Sequence, residues 1–175
     1  FSREAQNNAA AIDKERYSLL DGEQAAALPA GLWDINQAFC AADWLAIHYQ
    51  KKVVKTLQGG HVAAFLTAVG YLTYTDLLST PMMIGGIISL MLFAVVNNAL
   101  AVRGSWQRKY LDYRTLAEGL RVQFYWAAAG VTSGNVTKFA HDNCLQMRDV
   151  ELGWIRNVMR VAGTECDVAP NLSPE

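Results

Sequence analysis

The chain alternates between segments with one apolar stripe and a middle that is apolar throughout. In residues 32–58 the apolar positions recur at spacings of three and four, which places them on one helix face; they are Ile35, Phe39, Ala42, Ala46, Tyr49 and Val53. Residues 106–126 repeat the spacing at Tyr110, Tyr113, Leu116 or Ala117, Leu120 and Phe124. These patterns predict two amphipathic helices.

A last helix is predicted over residues 136–163. Its apolar stripe consists of Met147, Trp154, Val158 and Val161. Gly163 is predicted to end this helix, because glycine commonly follows the last helical turn.

The middle of the chain has no polar face. Residues 62–102 contain one acid, Asp76, and neither Lys nor Arg. Residues 81–102 carry no charge and, at about 1.5 Å per residue, could cross a hydrocarbon core of about 30 Å. Residues 61–78 are close to the shortest length that can span a membrane as a helix. The next helix is predicted to start at Pro81, with Ser79 or Thr80 as its N-cap. The pattern fits a buried hairpin of a soluble bundle or a transmembrane hairpin.

The distribution of basic residues favours the membrane. Three lysines precede the apolar middle and three basic residues follow it, at Lys51, Lys52, Lys55, Arg103, Arg108 and Lys109. Under the positive-inside rule both flanks lie in the cytoplasm. We therefore expect an all-α protein, a transmembrane helical hairpin with spans of about 61–78 and 81–102. Its long cytoplasmic extensions form a helical bundle, and the second span runs on past Arg103 as one helix.

Composition excludes several functions. With 15 basic and 16 acidic residues the net charge is −1, so no attraction to nucleic acid is expected. Three scattered cysteines form no CxxC pair, and we find no catalytic set, cofactor motif or metal site. His141, Asp142 and Cys144 are expected on a helix surface.

We expect three parts. Residues 1–31 form a cytoplasmic helix and linker, residues 32–163 the two-span domain, and residues 164–175 a disordered tail. The chain begins at Phe1 rather than Met, so we expect it to be part of a longer protein.

Two segments carry a family resemblance. "AADWLAIHYQKK" precedes the first span, and "DYRTLAEGLRVQFYW" follows the second. They resemble the SLATT superfamily, two-transmembrane effector domains found beside nucleotide-sensing or nucleotide-producing domains in bacterial defence systems. The resemblance covers roughly residues 32–160. Gly119 departs from it, since a charged residue is more usual there.

The resemblance implies a function. Such an effector assembles as a homo-oligomer and permeabilises or depolarises the bacterial inner membrane when an attached or neighbouring nucleotide-sensing domain is triggered during antiphage defence. Both termini would be cytoplasmic. The alternatives are a non-conducting membrane anchor and oligomerisation module for a cytoplasmic enzyme or sensor, and a soluble bundle that binds partners.

The cytoplasmic helices offer candidate coupling residues. Arg114, Glu118 and Arg121 are spaced as a surface ion-pair ladder. They could instead form a clasp with Asp43 and His48 of the preceding helix. Tyr113 belongs to the same motif.

The spans offer candidate interface residues. Asn97 and Asn98 could make a packing hydrogen bond or line a pore, and only one of them is expected to face a given partner. Small residues at Gly85, Gly86 and Ser89, with Gly70 from the first span, suit close helix packing. Gly59 and Gly60 are a candidate hinge or a loop between two helices. His61 is expected at the membrane interface rather than as a pH sensor.

Overall fold

The computed structural model describes residues 1–15, 17–19, 30–76, 80–129 and 153–167, with only the backbone at residues 30 and 163–167. Its elements are the helices α1 (Ser2–Asn7), α2 (Ala9–Glu15), α3 (Ala30–Asp76), α4 (Pro81–Arg103), α5 (Trp106–Ala128) and α6 (Gly153–Asp167). The all-α fold class is confirmed. The predicted His141, Asp142 and Cys144 cluster lies outside the described residues.

Helix α3 is longer than the sequence pattern predicts. It continues from Ala30 to Asp76 and passes through Gly59 and Gly60 without interruption. The loop between two helices is therefore not formed. Paired glycines often interrupt helices, but here each remains within the backbone hydrogen-bonding pattern of a helix that packing stabilises.

Helices α4 and α5 are separate where one continuous helix was expected. Helix α4 begins at Pro81 with Thr80 as its N-cap, and it ends at Arg103 with Gly104 as the C-cap. Ser105 has φ 50°, which interrupts the helix. A Cβ at Gly104 would collide with the Trp106 indole, so only glycine fits beneath that ring.

The chain divides into two compact units. The first, here the core unit, comprises Phe1–Ala46 and the part from Leu111 onward; the second, the apolar unit, is Ile47–Tyr110. The predicted division into residues 1–31, 32–163 and 164–175 stays a prediction.

The core unit has a conventional hydrophobic core. The predicted stripes of α3 and α5 supply it, with Ile35, Phe39, Ala42, Leu116, Ala117, Leu120 and Phe124 buried. Helix α6 adds Ile155 and Ala162, whereas the predicted stripe residue Val161 is exposed. Helix α6 also continues past the predicted stop at Gly163 to Asp167.

The N-terminal segment packs onto this core. Ile12 of α2 is buried, and the backbone N–H of Leu19 donates to Oδ1 of the buried Asn36, 3.1 Å away. The thiol of Cys40 donates to the carbonyl of Tyr17 at 3.4 Å. A buried amide needs such partners, so these bonds fix where the segment lies.

The apolar unit buries little of its side-chain surface. Helix α4 has no buried residue. The large exposed apolar side chains of the unit include Phe65 and Val69 of α3 and Leu92, Val95 and Leu100 of α4. One described helix, Pro81–Arg103, is long and apolar enough to cross a membrane, with a mean hydropathy of 1.9. The second half of α3 does not reach that standard, so the predicted two-span hairpin is not established.

Candidate functional site

The first candidate site is a polar cluster on the core unit. Nη2 of Arg114 lies 2.6 Å from Oε1 of Glu118, and Nη1 of Arg121 lies 3.1 Å from Oε2 of the same carboxylate. Nη1 of Arg114 also reaches Oδ1 of Asp43 on α3 at 3.5 Å. The structure thus brings together one residue of α3 and three of α5, which combines the predicted ladder with part of the predicted clasp.

The members of this cluster differ in exposure. The Asp43 side chain retains only 11% of its accessible surface, whereas the Arg114 and Glu118 side chains are nearly half exposed. Exposed ion pairs contribute about 0–1 kcal/mol because water screens them. The contact with Asp43 matters more, since loss of its arginine would leave a carboxylate with poor access to solvent.

Arg121 ties the polar cluster to the core. Its guanidinium carbon lies 5.3 Å from the ring centroid of Phe39, within the range of a cation–π contact. Phe39 is fully buried. A change in the packing of α3 against α5 would therefore alter the cluster directly.

Tyr113 faces different partners from those of the arginines. Its hydroxyl donates to Oε2 of Glu4 at 2.7 Å. Its ring meets Trp154 edge-on, with centroids 6.0 Å apart, and Phe1 lies against both rings. Tyr113 thus joins α1, α5 and α6. Local spacing could not have predicted a partner 109 positions away.

His48 belongs to the apolar unit. Its ring packs edge-on against Tyr49, with centroids 5.4 Å apart. His61, predicted at an interface, is exposed, and its Nδ1 lies 2.7 Å from the carbonyl oxygen of Leu57. That local contact satisfies one ring nitrogen within the helix.

The second candidate site is the contact between α3 and α4 in the apolar unit. Nδ2 of Asn97 donates to the carbonyl oxygen of Thr56 at 3.1 Å. A Cβ at Gly59 would lie 3.3 Å from this nitrogen, so glycine allows the amide to approach the α3 backbone. Asn98 is exposed. The two asparagines thus face different surroundings.

The glycines likewise differ in whether they face the neighbouring helix or open space. A Cβ at Gly70 would lie 3.4 Å from Cγ1 of Ile87, so Gly70 faces α4. Nothing lies within 4 Å of such a position at Gly60, Gly85 or Gly86. The Ser89 hydroxyl donates to the carbonyl of Gly85 at 2.8 Å. Within the described residues, Gly70 therefore packs inside the unit, whereas Gly85, Gly86 and Ser89 present an exposed small-residue surface.

A group of basic and aromatic residues was missed as a unit by sequence reasoning. Nζ of Lys52 lies 5.1 Å from the Tyr49 ring centroid and 5.8 Å from that of Trp106. Nζ of Lys109 also lies 5.1 Å from the Tyr49 ring centroid. We call these four residues the basic–aromatic cluster. Helix spacing could link Tyr49 to Lys52, but not to residues of another helix.

The described residues contain no group of three or more His, Cys, Asp or Glu side chains that could hold a metal ion. Comparison with protein-family models, curated proteins and solved structures finds no match. The resemblance to the SLATT superfamily therefore stays a prediction.

Proposed function

We propose that this chain is a membrane effector. The apolar unit inserts into the bacterial inner membrane as a hairpin with both flanks cytoplasmic. Copies of the chain assemble and permeabilise or depolarise that membrane when an associated nucleotide-sensing domain is triggered. The family resemblance supplies the trigger and the setting of antiphage defence.

One observation carries the membrane part of the proposal. Helix α4 is apolar on all sides and none of it is buried. A helix of this kind in water would leave a large apolar surface exposed, which monomeric soluble proteins rarely do. Lipid removes that cost, and all backbone groups of a helix are satisfied internally, as the bilayer interior requires.

The basic–aromatic cluster supports the orientation. Aromatic rings and lysines favour the membrane–water interface, and basic residues favour the cytoplasmic side. Tyr49, Lys52, Trp106 and Lys109 come from the two ends of the apolar unit, as expected where both chain ends of a hairpin leave the bilayer together.

A hairpin cannot enclose a pore by itself, so conduction requires several copies. Gly85, Gly86 and Ser89 offer small side chains on the exposed face of α4, where helices of neighbouring copies can approach closely. Because Asn97 bonds to Thr56 within the chain, the pore-lining role falls to the exposed Asn98.

The internal bond of Asn97 also favours the second candidate, a non-conducting membrane anchor and oligomerisation module. An asparagine that satisfies its donor inside the hairpin needs no water-filled pore. Leakage measurements separate the two functions.

The test uses liposomes that contain the full-length protein, loaded with a dye and an ion indicator and exposed to candidate nucleotide signals. Signal-dependent leakage that changes in Asn98→Leu supports the effector. Asn97→Leu is the matched control, since it removes the same amide from the internal contact. Inserted, oligomeric protein that never leaks would favour the anchor.

A further inference from the structure

An open groove lies between α3 and α4 inside the apolar unit. Its volume is about 450 Å³, within the range of about 300–1,000 Å³ typical of ligand pockets. Its walls are apolar, formed mainly by Val62, Leu66, Leu90 and Phe93. Lys55 and Gln58 also line it. The groove thus combines an apolar surface with a cationic group.

The polar and apolar parts of the groove are segregated along α3. Lys55 and Gln58 come first, followed by Val62 and Leu66. Leu66 lies eleven positions after Lys55, which corresponds to about 16 Å of helix at about 1.5 Å per residue. The contacts of Gly59 with Asn97 and of Gly70 with Ile87 show that α4 runs antiparallel to α3 here. One end of the groove is therefore charged and the other is purely apolar.

We propose that this groove binds one anionic phospholipid, with the phosphate at Lys55 and an acyl chain along Val62, Leu66, Leu90 and Phe93. The inference rests on the proposed membrane insertion, because the lipid enters sideways from the bilayer. Basic pockets between membrane helices on the cytoplasmic side are known to bind anionic lipid headgroups.

Charge complementarity selects this occupant. Among the described residues, no hydrogen bond or ion pair of Lys55 is found, so its ammonium can meet a phosphate. Lys52, one turn earlier, lies in the basic–aromatic cluster and raises the positive potential at the same end of the unit. Gln58 adds an amide that can donate to a phosphate or glycerol oxygen. A neutral peptide helix or a second apolar α4 would leave this charge without a counterpart.

The experiment counts lipids bound to the full chain by native mass spectrometry in detergent. Phosphatidylglycerol and phosphatidylcholine with identical acyl chains are added at equal concentration. We expect phosphatidylglycerol to be retained about fivefold more, the factor that one lysine near an anionic surface contributes. Lys55→Ala should reduce this preference to nearly one, whereas the exposed neighbour Lys51→Ala should preserve it.

A second pair of variants tests the apolar part. Val62→Trp fills the groove from an exposed position and should reduce retention of both lipids several-fold. Val95→Trp places the same side chain on an exposed surface that does not line the groove, and should leave retention unchanged.

Several outcomes would overturn the inference. Equal retention of the two lipids in the original chain would do so, as would equal losses in Lys55→Ala and Lys51→Ala. Displacement of phosphatidylglycerol by millimolar inorganic phosphate would assign the site to free phosphate. Disulfide crosslinking of Val62→Cys between copies that phosphatidylglycerol does not suppress would assign the groove to a second copy.

Failure of this inference can be told apart from failure of the proposed function. Protein that resists alkaline extraction from membranes but shows no lipid preference contradicts only the lipid site. Protein that alkaline carbonate releases completely contradicts the membrane insertion on which both depend.

Discussion

The two units of the chain use similar apolar side chains in opposite ways. In the core unit Phe124 is 1% exposed, whereas in the apolar unit Phe65 is 68% exposed. The first belongs to a stripe on an otherwise polar helix, and the second to a segment with almost no polar residues. The comparison shows that the number of apolar residues does not decide burial; their arrangement around the helix does.

The largest effect is expected when one phenylalanine of each unit is replaced by alanine. Phe124→Ala should lower the free energy of unfolding by about 3–5 kcal/mol, because it opens a cavity in a packed core. Phe65→Ala should change it little, because an exposed side chain leaves no cavity. Urea unfolding of the full chain in detergent, followed by circular dichroism, measures both. Equal losses would mean that the two units share one type of core.

The next effect tests whether α4 is surrounded by lipid rather than by water. Leu92→Lys should oppose membrane insertion by about 2.5–3.5 kcal/mol, the cost of a lysine near the centre of a span. Leu111→Lys, an exposed site on the core unit, is the control and should insert normally. Glycosylation mapping during translation with microsomes reports the inserted fraction. Normal insertion of the Leu92 variant would argue that α4 does not cross the membrane.

A smaller effect is expected at the asparagine pair. Asn97→Leu removes the bond to Thr56 and should weaken the α3–α4 contact by about 0.6–1.7 kcal/mol, the range found for hydrogen bonds between membrane helices. Asn98→Leu makes the same chemical change at an exposed position and should leave hairpin stability unchanged. Thermal unfolding in detergent, monitored through a fluorophore pair on the two helices, provides the measurement. Equal shifts would show that the Asn97 bond contributes nothing.

The smallest effect is the coupling between Arg114 and Glu118. Both side chains are nearly half exposed, so a double-mutant cycle with alanine should give about 0.3–0.5 kcal/mol. The cycle between Arg114 and Asp43 should give more, because Asp43 is poorly solvated. The reverse order would mean that the ladder, rather than the contact with α3, stabilises this site.

The sequence predicted well where burial follows helix periodicity. Ile35, Phe39, Leu116, Leu120 and Phe124 were all expected on inward faces and all are buried. Each helix turn repeats the same signal, so single irregularities do not obscure it.

The sequence predicted poorly where one contact overrides a local preference. Gly59 and Gly60 suggested an interruption, yet α3 continues there and Asn97 packs against Gly59. No proline follows Arg103, yet the chain leaves the helix at Ser105, whose φ is 50°, and a Cβ at Gly104 would collide with the Trp106 indole. The first outcome depends on a side chain of another helix and the second on a single backbone angle, and helix propensity encodes neither.

Gly119 is a related case. A Cβ there would lie 2.8 Å from Sδ of Met159 on α6, so the missing side chain accommodates that thioether. This close approach gives a structural reason for the glycine at a position where the resemblance led us to expect a charged residue. Methionine is well suited to fill such a space because its side chain is unbranched and adaptable.

The burial of Cys40 makes its thiol a probe of how often the core unit opens. The residue is 2% exposed, so a reagent in solution reaches its sulfur only when the surrounding helices separate. In a chain with Cys144 and Cys166 replaced by serine, the rate of thiol labelling therefore reports how often the core unit opens. The same measurement with a candidate nucleotide added tests whether the proposed trigger increases the opening of the core unit.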